Sequence, residues 1–133
     1  MSKINLAIPV FILFFNACLF SQNSKWDNLT DFKNVTAIVS DPNSNNVYSA
    51  TRVGLYSADA VSGNIISKYT NIQGLINNDL TAIAFDNSGK LWIGAVDGSI
   101  SILNIQNNTW KYLYDIKNSS EANKFINYIL LSG

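Results

Sequence analysis

Histidine is absent from the 133 residues, and cysteine occurs once, at Cys18. A Cys/His zinc site, a Cys–His or Ser–His–Asp catalytic set and a structural disulfide are thereby excluded within this chain. Charge of one sign is lacking too. Lysine plus arginine number 9, aspartate plus glutamate 9, and the formal net charge is zero. No basic run exists, so neither a nucleic acid nor an acidic lipid surface has electrostatic support as a partner. What is present is apolar and Asn-rich. Hydrophobic residues make up 47% of the chain, ample for a core. Asparagine clusters between the apolar runs, and the sequons at Asn28, Asn34, Asn107 and Asn118 are expected by chance at that abundance.

Residues 1–22 differ from the rest. Lys3 supplies a short positive region, Leu6 to Phe20 is nearly all apolar, and a polar stretch from Ser21 to Lys25 follows. This is the layout of a secretory signal peptide, with small Ser21 suited to the residue before the cleaved bond. Two other readings compete with it. An uncleaved anchor needs about 20 clean apolar residues, and Asn5, Pro9 and Asn16 interrupt this stretch. A lipoprotein modified at Cys18 needs an aliphatic residue three places earlier, where Phe15 stands. The mature chain is exported on each reading, to the periplasm or the outer cell surface, and meets the membrane only through the leader.

The remainder is organised by a repeat. From Gly74 to Asn104, three short apolar runs, Leu80–Phe85, Leu91–Ala95 and Ser99–Leu103, are separated by the turns Asp86-Asn87-Ser88-Gly89 and Val96-Asp97-Gly98. Short runs bounded by Asn, Asp and Gly read as strands joined by hairpins, because those residues tolerate the positive φ of tight turns. The same block occurs earlier. Thr36-Ala37-Ile38 matches Thr81-Ala82-Ile83, and Asp41 matches Asp86, at a separation of 45. Tyr48 then matches Trp92, and Gly54 matches Gly98, at 44. Trp26, Tyr69 and Trp110 read as successive copies of one aromatic position, and Phe125–Leu131 resembles the opening strand again.

A period near 44 with four strands per unit is that of a β-propeller blade. The expected fold is therefore all-β: four-stranded antiparallel blades, with blade 1 at about 35–69, blade 2 at about 80–113 and the start of blade 3 at about 125–133. Residues 23–133 thus make about two and a half blades of an incomplete ring, since propellers close with roughly four to eight. The reading predicts the N-terminal part of a longer propeller whose last blade is completed by the Trp26 segment. It also predicts that residues 23–133 expressed alone fold poorly, because a blade cannot bury its faces by itself.

No catalytic, cofactor-binding or metal-ligating residue is assigned, and the protein is read as not an enzyme. Asp86–Lys90 has a superficial likeness to a calcium loop, but the regular oxygen spacing and closing Glu are missing. Asp41 and Asp86 recur in successive blades, as hairpin-supporting carboxylates do and a singular active site does not. Tyr48 and Trp92 are expected to pack between neighbouring blades. Tyr69 and Trp110 lie nearer the rim. Gly94 and Gly98 open no helix and so form no phosphate loop.

The second block resembles the two-component-regulator propeller repeat. Gly74, Leu75, Leu80, Ile83, Asp86, Gly89, Leu91, Trp92, Ile93, Gly94 and Gly98 fit that family's blade pattern, and Ala95 replaces its threonine. A narrower resemblance, to the N-terminal propeller of PorZ-like proteins of the type IX secretion system, rests on three stretches. They are Val47-Tyr48-Ser49-Ala50-Thr51 with Gly54-Leu55, Gly98–Leu103, and Asp115-Ile116-Lys117 ahead of Lys124–Ile129. The resemblance implies an exported interaction or scaffold module of type IX secretion or surface attachment. Its partners would be proteins at the outer membrane or cell surface, with a surface glycan as an alternative. Two further readings stay open: the extracytoplasmic sensor of a hybrid two-component regulator, and a fragment of a propeller enzyme acting on glycans.

Overall fold

The computed structural model describes residues 34–132 of the chain. The leader at 1–22, Cys18 and Trp26 lie outside the described residues. Eight strands form two four-stranded antiparallel sheets. The first contains β1 (Val35–Ser40), β2 (Asn46–Thr51), β3 (Gly54–Asp59) and β4 (Ile65–Tyr69), in that spatial order. The second contains β5 (Leu80–Phe85), β6 (Lys90–Ala95), β7 (Ile100–Asn104) and β8 (Thr109–Leu113), again in chain order. A 3-10 turn, Asn71–Gln73, lies between the sheets and is closed by a capping box from Thr70 and Gln73. A single helical turn, α1 (Asp115–Asn118), follows β8.

The two sheets are copies of one blade. In β1/β2 the ladder runs from Val35↔Thr51 to Ala37↔Ala50, skipping Thr36. In β5/β6 it runs from Leu80↔Ala95 to Ala82↔Gly94, skipping Thr81. The same irregularity falls on the same threonine in both copies, which a chance pair of meanders would not reproduce. Bulges of this kind bend a strand and raise its twist. The Thr36 hydroxyl exploits the opening. It lies 3.1 Å from the Ala50 carbonyl within its own sheet and 2.8 Å from the Leu80 carbonyl of the next.

The core is the seam between the sheets. Tyr48, Ala50 and Leu55 of the first sheet pack against Leu80, Leu91, Ile93, Ala95 and Leu103 of the second, with Leu75 of the connection. Leu55, Leu91 and Leu103 are fully buried. Each such leucine contributes about 1.5–3 kcal/mol by leaving water. The opposite face of the first sheet stays open in part, with Ile38 67% exposed. Strand alternation produces this division, since successive side chains point to opposite faces.

Hydrogen bonding corrects two of the expected equivalences. Gly54 stands opposite Thr51 in the ladder, whereas the Ala95 amide donates to the Ser99 carbonyl. Because Thr51 and Ala95 are equivalent, Gly54 corresponds to Ser99 and not to Gly98. The β2–β3 turn has one residue fewer than the β6–β7 turn, so matching by residue type slipped by one. Glycine is still required at 54. Its φ is +137°, and a Cβ there would lie 2.5 Å from the Tyr69 carbonyl oxygen. The aromatic series fails too, and by more than one residue, since the position of Tyr69 is taken in the second blade by Leu113, opposite Ile100. Tyr69 pairs with Leu55 and Trp110 with Leu103, which are different rungs of their blades. The two rings meet each other instead, edge to face at 5.8 Å across the seam.

Phe125–Leu131 forms no strand and joins no ladder among the described residues. It is nevertheless docked. Ile126 is 7% exposed and covers Gly94, where a Cβ would lie 2.9 Å from the Ile126 Cγ2. Ile129 and Leu131 are half-buried while Asn127, Tyr128 and Leu130 are exposed. That three-then-two spacing of inward positions is also the spacing of Leu80, Ile83 and Phe85 along the bulged β5.

Candidate functional site

The β1–β2 and β5–β6 turns of the neighbouring blades converge at one end of the seam. Between them lies a groove of about 480 Å³, lined by Val39, Asn43, Ile83, Phe85 and Asn87 among others. Its size falls within the range of small-molecule sites. Its walls are aliphatic and aromatic, and its rim carries side-chain amides.

The two carboxylates at this groove belong to the turns. Asp41 accepts from the Asn43 amide at 2.9 Å and from the Ser44 hydroxyl at 2.7 Å. Asp86 is more fully engaged. Its Oδ1 accepts from the Ser88 amide at 2.9 Å, the Ser88 hydroxyl at 2.7 Å and the Lys90 amide at 2.9 Å. Its Oδ2 accepts from Trp92 Nε1 at 3.0 Å. Desolvation opposes ionisation of Asp86, but the hydrogen bonds from Trp92, Ser88 and Lys90 outweigh it and hold the carboxyl well below the usual carboxylate range. A carboxylate surrounded by four donors supports its hairpin and has little capacity left for a metal or a substrate proton.

Tyr48 stands at the position of Trp92 in the first blade and packs edge to face on Phe85 of the second at 5.6 Å. Its expected place between blades is what the fold shows. Burial above all, with Tyr69 and Asp41 nearby, pushes its phenol up to about 12. Trp92 itself is half-buried and tied to Asp86. Asp97, in the β6–β7 turn, accepts from Lys117 Nζ at 2.7 Å and from the Ser99 hydroxyl at 2.6 Å. Desolvation again works against its ionisation, and Lys117, Ser99 and Asn77 overcome it, so its carboxyl also sits well below the usual range. Lys124 Nζ donates to the Lys117 carbonyl at 2.6 Å, which ties the α1 segment down over Gly98. Asp86, Asp97 and Tyr48 therefore each hold one protonation state around neutral pH, the opposite of what proton transfer requires.

Sequence reasoning missed two contacts here. Trp110 covers Gly74, where a Cβ would lie 2.6 Å from its Nε1. The Asp97–Lys117 pair spans the polar stretch after β8, and charged residues in a polar connection carry no signal of what they will meet.

Comparisons with known proteins agree with this architecture. Residues 74–97 match the family model described as two component regulator propeller. No curated protein matches the chain. Among solved structures, the extracellular domain of the putative hybrid two component system BT3049 from B. thetaiotaomicron is similar at 24% identity and a TM-score of 0.61. That likeness covers 72% of this chain and 13% of that one, so the chain spans about an eighth of the length of that neighbour. Kuenenia stuttgartiensis hydrazine synthase is similar at 14% identity and a TM-score of 0.56, covering 82% of this chain and 28% of that chain. PorZ of Porphyromonas gingivalis, a bacterial surface component of the type-IX secretion system, is similar at 26% identity and a TM-score of 0.48, covering 59% and 12%. The first two likenesses establish the propeller fold alone.

Proposed function

We propose that the chain is part of an exported, non-enzymatic β-propeller that serves as an interaction or scaffold module at the cell surface, in type IX secretion or surface attachment. The observation that carries the non-enzymatic reading is the commitment of the turn carboxylates. Asp86 has its oxygens occupied by four donors, and Asp97 is held by Lys117 and Ser99. Apart from the engaged Asp86 and from Ser40, the groove is lined by amides and an apolar wall, a lining suited to binding without bond making. Export is supported by the apolar leader of residues 1–22. Among the described residues no helix is long and apolar enough to cross a membrane. The docked Ile126–Leu131 segment, with the inward spacing of β5, supports a third blade beginning there.

A second reading has its own support. The match of residues 74–97 to the two component regulator propeller repeat favours the sensor domain of a hybrid regulator. Deleting the gene in its host separates the two. Failure to attach secreted cargo at the surface, with transcriptional responses intact, supports the first. Loss of a transcriptional response with cargo attachment intact supports the second. Cleavage of a polysaccharide by the purified full-length protein overturns the non-enzymatic reading in both forms.

A further inference from the structure

β1 and β5 are end strands of their sheets, and each has one edge that no strand covers. The hydrogen bonds show which residues present that edge. The Asp86 amide donates to the Lys90 carbonyl at 2.9 Å, so Asp86 directs its backbone groups toward β6. Direction alternates along an antiparallel pair. Ala84, opposite Trp92, therefore also faces β6, while Ile83 and Phe85 turn their N–H and C=O groups the other way. In β1 the Asp41 amide donates to the Asn46 carbonyl at 2.8 Å, and the same rule leaves Ser40 with its backbone groups turned outward.

Ser40, Ile83 and Phe85 all line the groove at the end of the seam. Both walls of that groove belong to complete four-stranded blades, and the opening lies between them. Asp86 is the one charged residue lining it, and its oxygens are taken by the turn and by Trp92. A charged ligand finds no counter-charge there. The side-chain amides of Asn43 and Asn87, one from each blade, make no hydrogen bond among the described residues. Each offers both a donor and an acceptor.

A free edge belongs to any end strand. What singles out this one is the groove beside it, with Val39, Ile83 and Phe85 as an apolar wall and an amide on either side. N–H and C=O groups repeating at strand spacing match another extended chain, whose own groups repeat in the same way. A sugar could use the amides and the wall but not such an edge. A nucleic acid needs cations for its phosphates, and none lines the groove.

We propose that the groove binds an extended peptide segment of a protein partner, laid along the free edge of β5 with one apolar side chain against Val39, Ile83 and Phe85. This names the partner chemistry of the interaction module proposed above and rests on that reading.

The test is hydrogen exchange of the full-length protein, read residue by residue. The probes are blocked pentapeptides that alternate threonine with leucine, valine or phenylalanine. Without peptide, the Ile83 and Phe85 amides should exchange fast beside slow Ala82 and Ala84. A saturating peptide from the set should slow both at least about tenfold. N-methylation of the alternate peptide amides that face β5 should abolish that protection, and methylation of the other amides should leave it. Asn87→Ala, at an exposed turn position, should weaken binding about threefold. Slow exchange of Ile83 and Phe85 without peptide, no protection by any peptide of the set at about 1 mM, or protection indifferent to which amides are methylated would each overturn the proposal. So would protection of this segment by maltohexaose but not by the peptides, which would assign the groove to a neutral glycan. Loss of surface attachment on gene deletion, with the peptides inert, removes the groove as the site and leaves the interaction module standing. Peptide binding by a protein whose deletion leaves attachment intact does the reverse.

Discussion

Replacing Asp86 with asparagine tests whether the turn carboxylate is structural. The substitution keeps size and shape and one carbonyl oxygen, so the Ser88 and Lys90 donors retain an acceptor. It sets an NH₂ group against Trp92 Nε1, donor facing donor, where the structure has a 3.0 Å hydrogen bond. A charge-assisted hydrogen bond is worth about 1.5–3 kcal/mol. Because Asp86 is partly open to water, solvent screening holds the loss near the lower end, and we expect about 2 kcal/mol. The assay is urea unfolding of the purified protein, in a double-mutant cycle with Trp92→Phe. A coupling of about 1 kcal/mol or more is expected between two residues in direct contact. The pH dependence supplies a second readout. The folded-state carboxyl is depressed, so its contribution is fully present above the unfolded value near 3.9 and is lost as pH falls toward the folded value. The gap between parent and Asp86→Asn should be flat above about pH 5 and should shrink below about pH 4. A variant within about 0.3 kcal/mol of the parent, or two substitutions that simply add, would refute the reasoning.

Other perturbations address the seam and the docked segment. Leu91→Ala, at a fully buried position of the core, should cost about 3 kcal/mol in urea unfolding by removing apolar surface and leaving a cavity. Gly94→Val should lift Ile126 from its seat, at a cost of about 1–3 kcal/mol, and trypsin should then cut faster after Lys124. Asp97→Asn should remove part of the acid sensitivity of the fold. The Asp97 carboxyl is depressed, so its contribution is present above about pH 5 and fades below the usual carboxylate range. Both partners of the Asp97–Lys117 pair are partly exposed, at 30% and 39%, so Lys117→Met should cost no more than about 1 kcal/mol in urea unfolding.

The sequence alone determined that the chain is built from copies of a four-stranded unit. The reason is local: a hairpin needs Asp and Gly at its turns and apolar residues between them, and the Thr-Ala-Ile and Asp landmarks recur at nearly constant separation. Where turn length changes by one residue, that reading loses register. Gly54 and Gly98 look equivalent because residue type persists across such a slip, and Tyr69 and Trp110 because each outer strand carries an aromatic, though on different rungs. Only the ladder of hydrogen bonds exposes either mismatch. Tertiary structure alone decided which faces meet and which side chains share a surface. Lys90 and Lys111 are distant in sequence and silent as a motif. Pairing of β6, β7 and β8 places them on one face. Whether a polar group is free or already satisfied is settled by its neighbours in space, and chain order does not encode that directly.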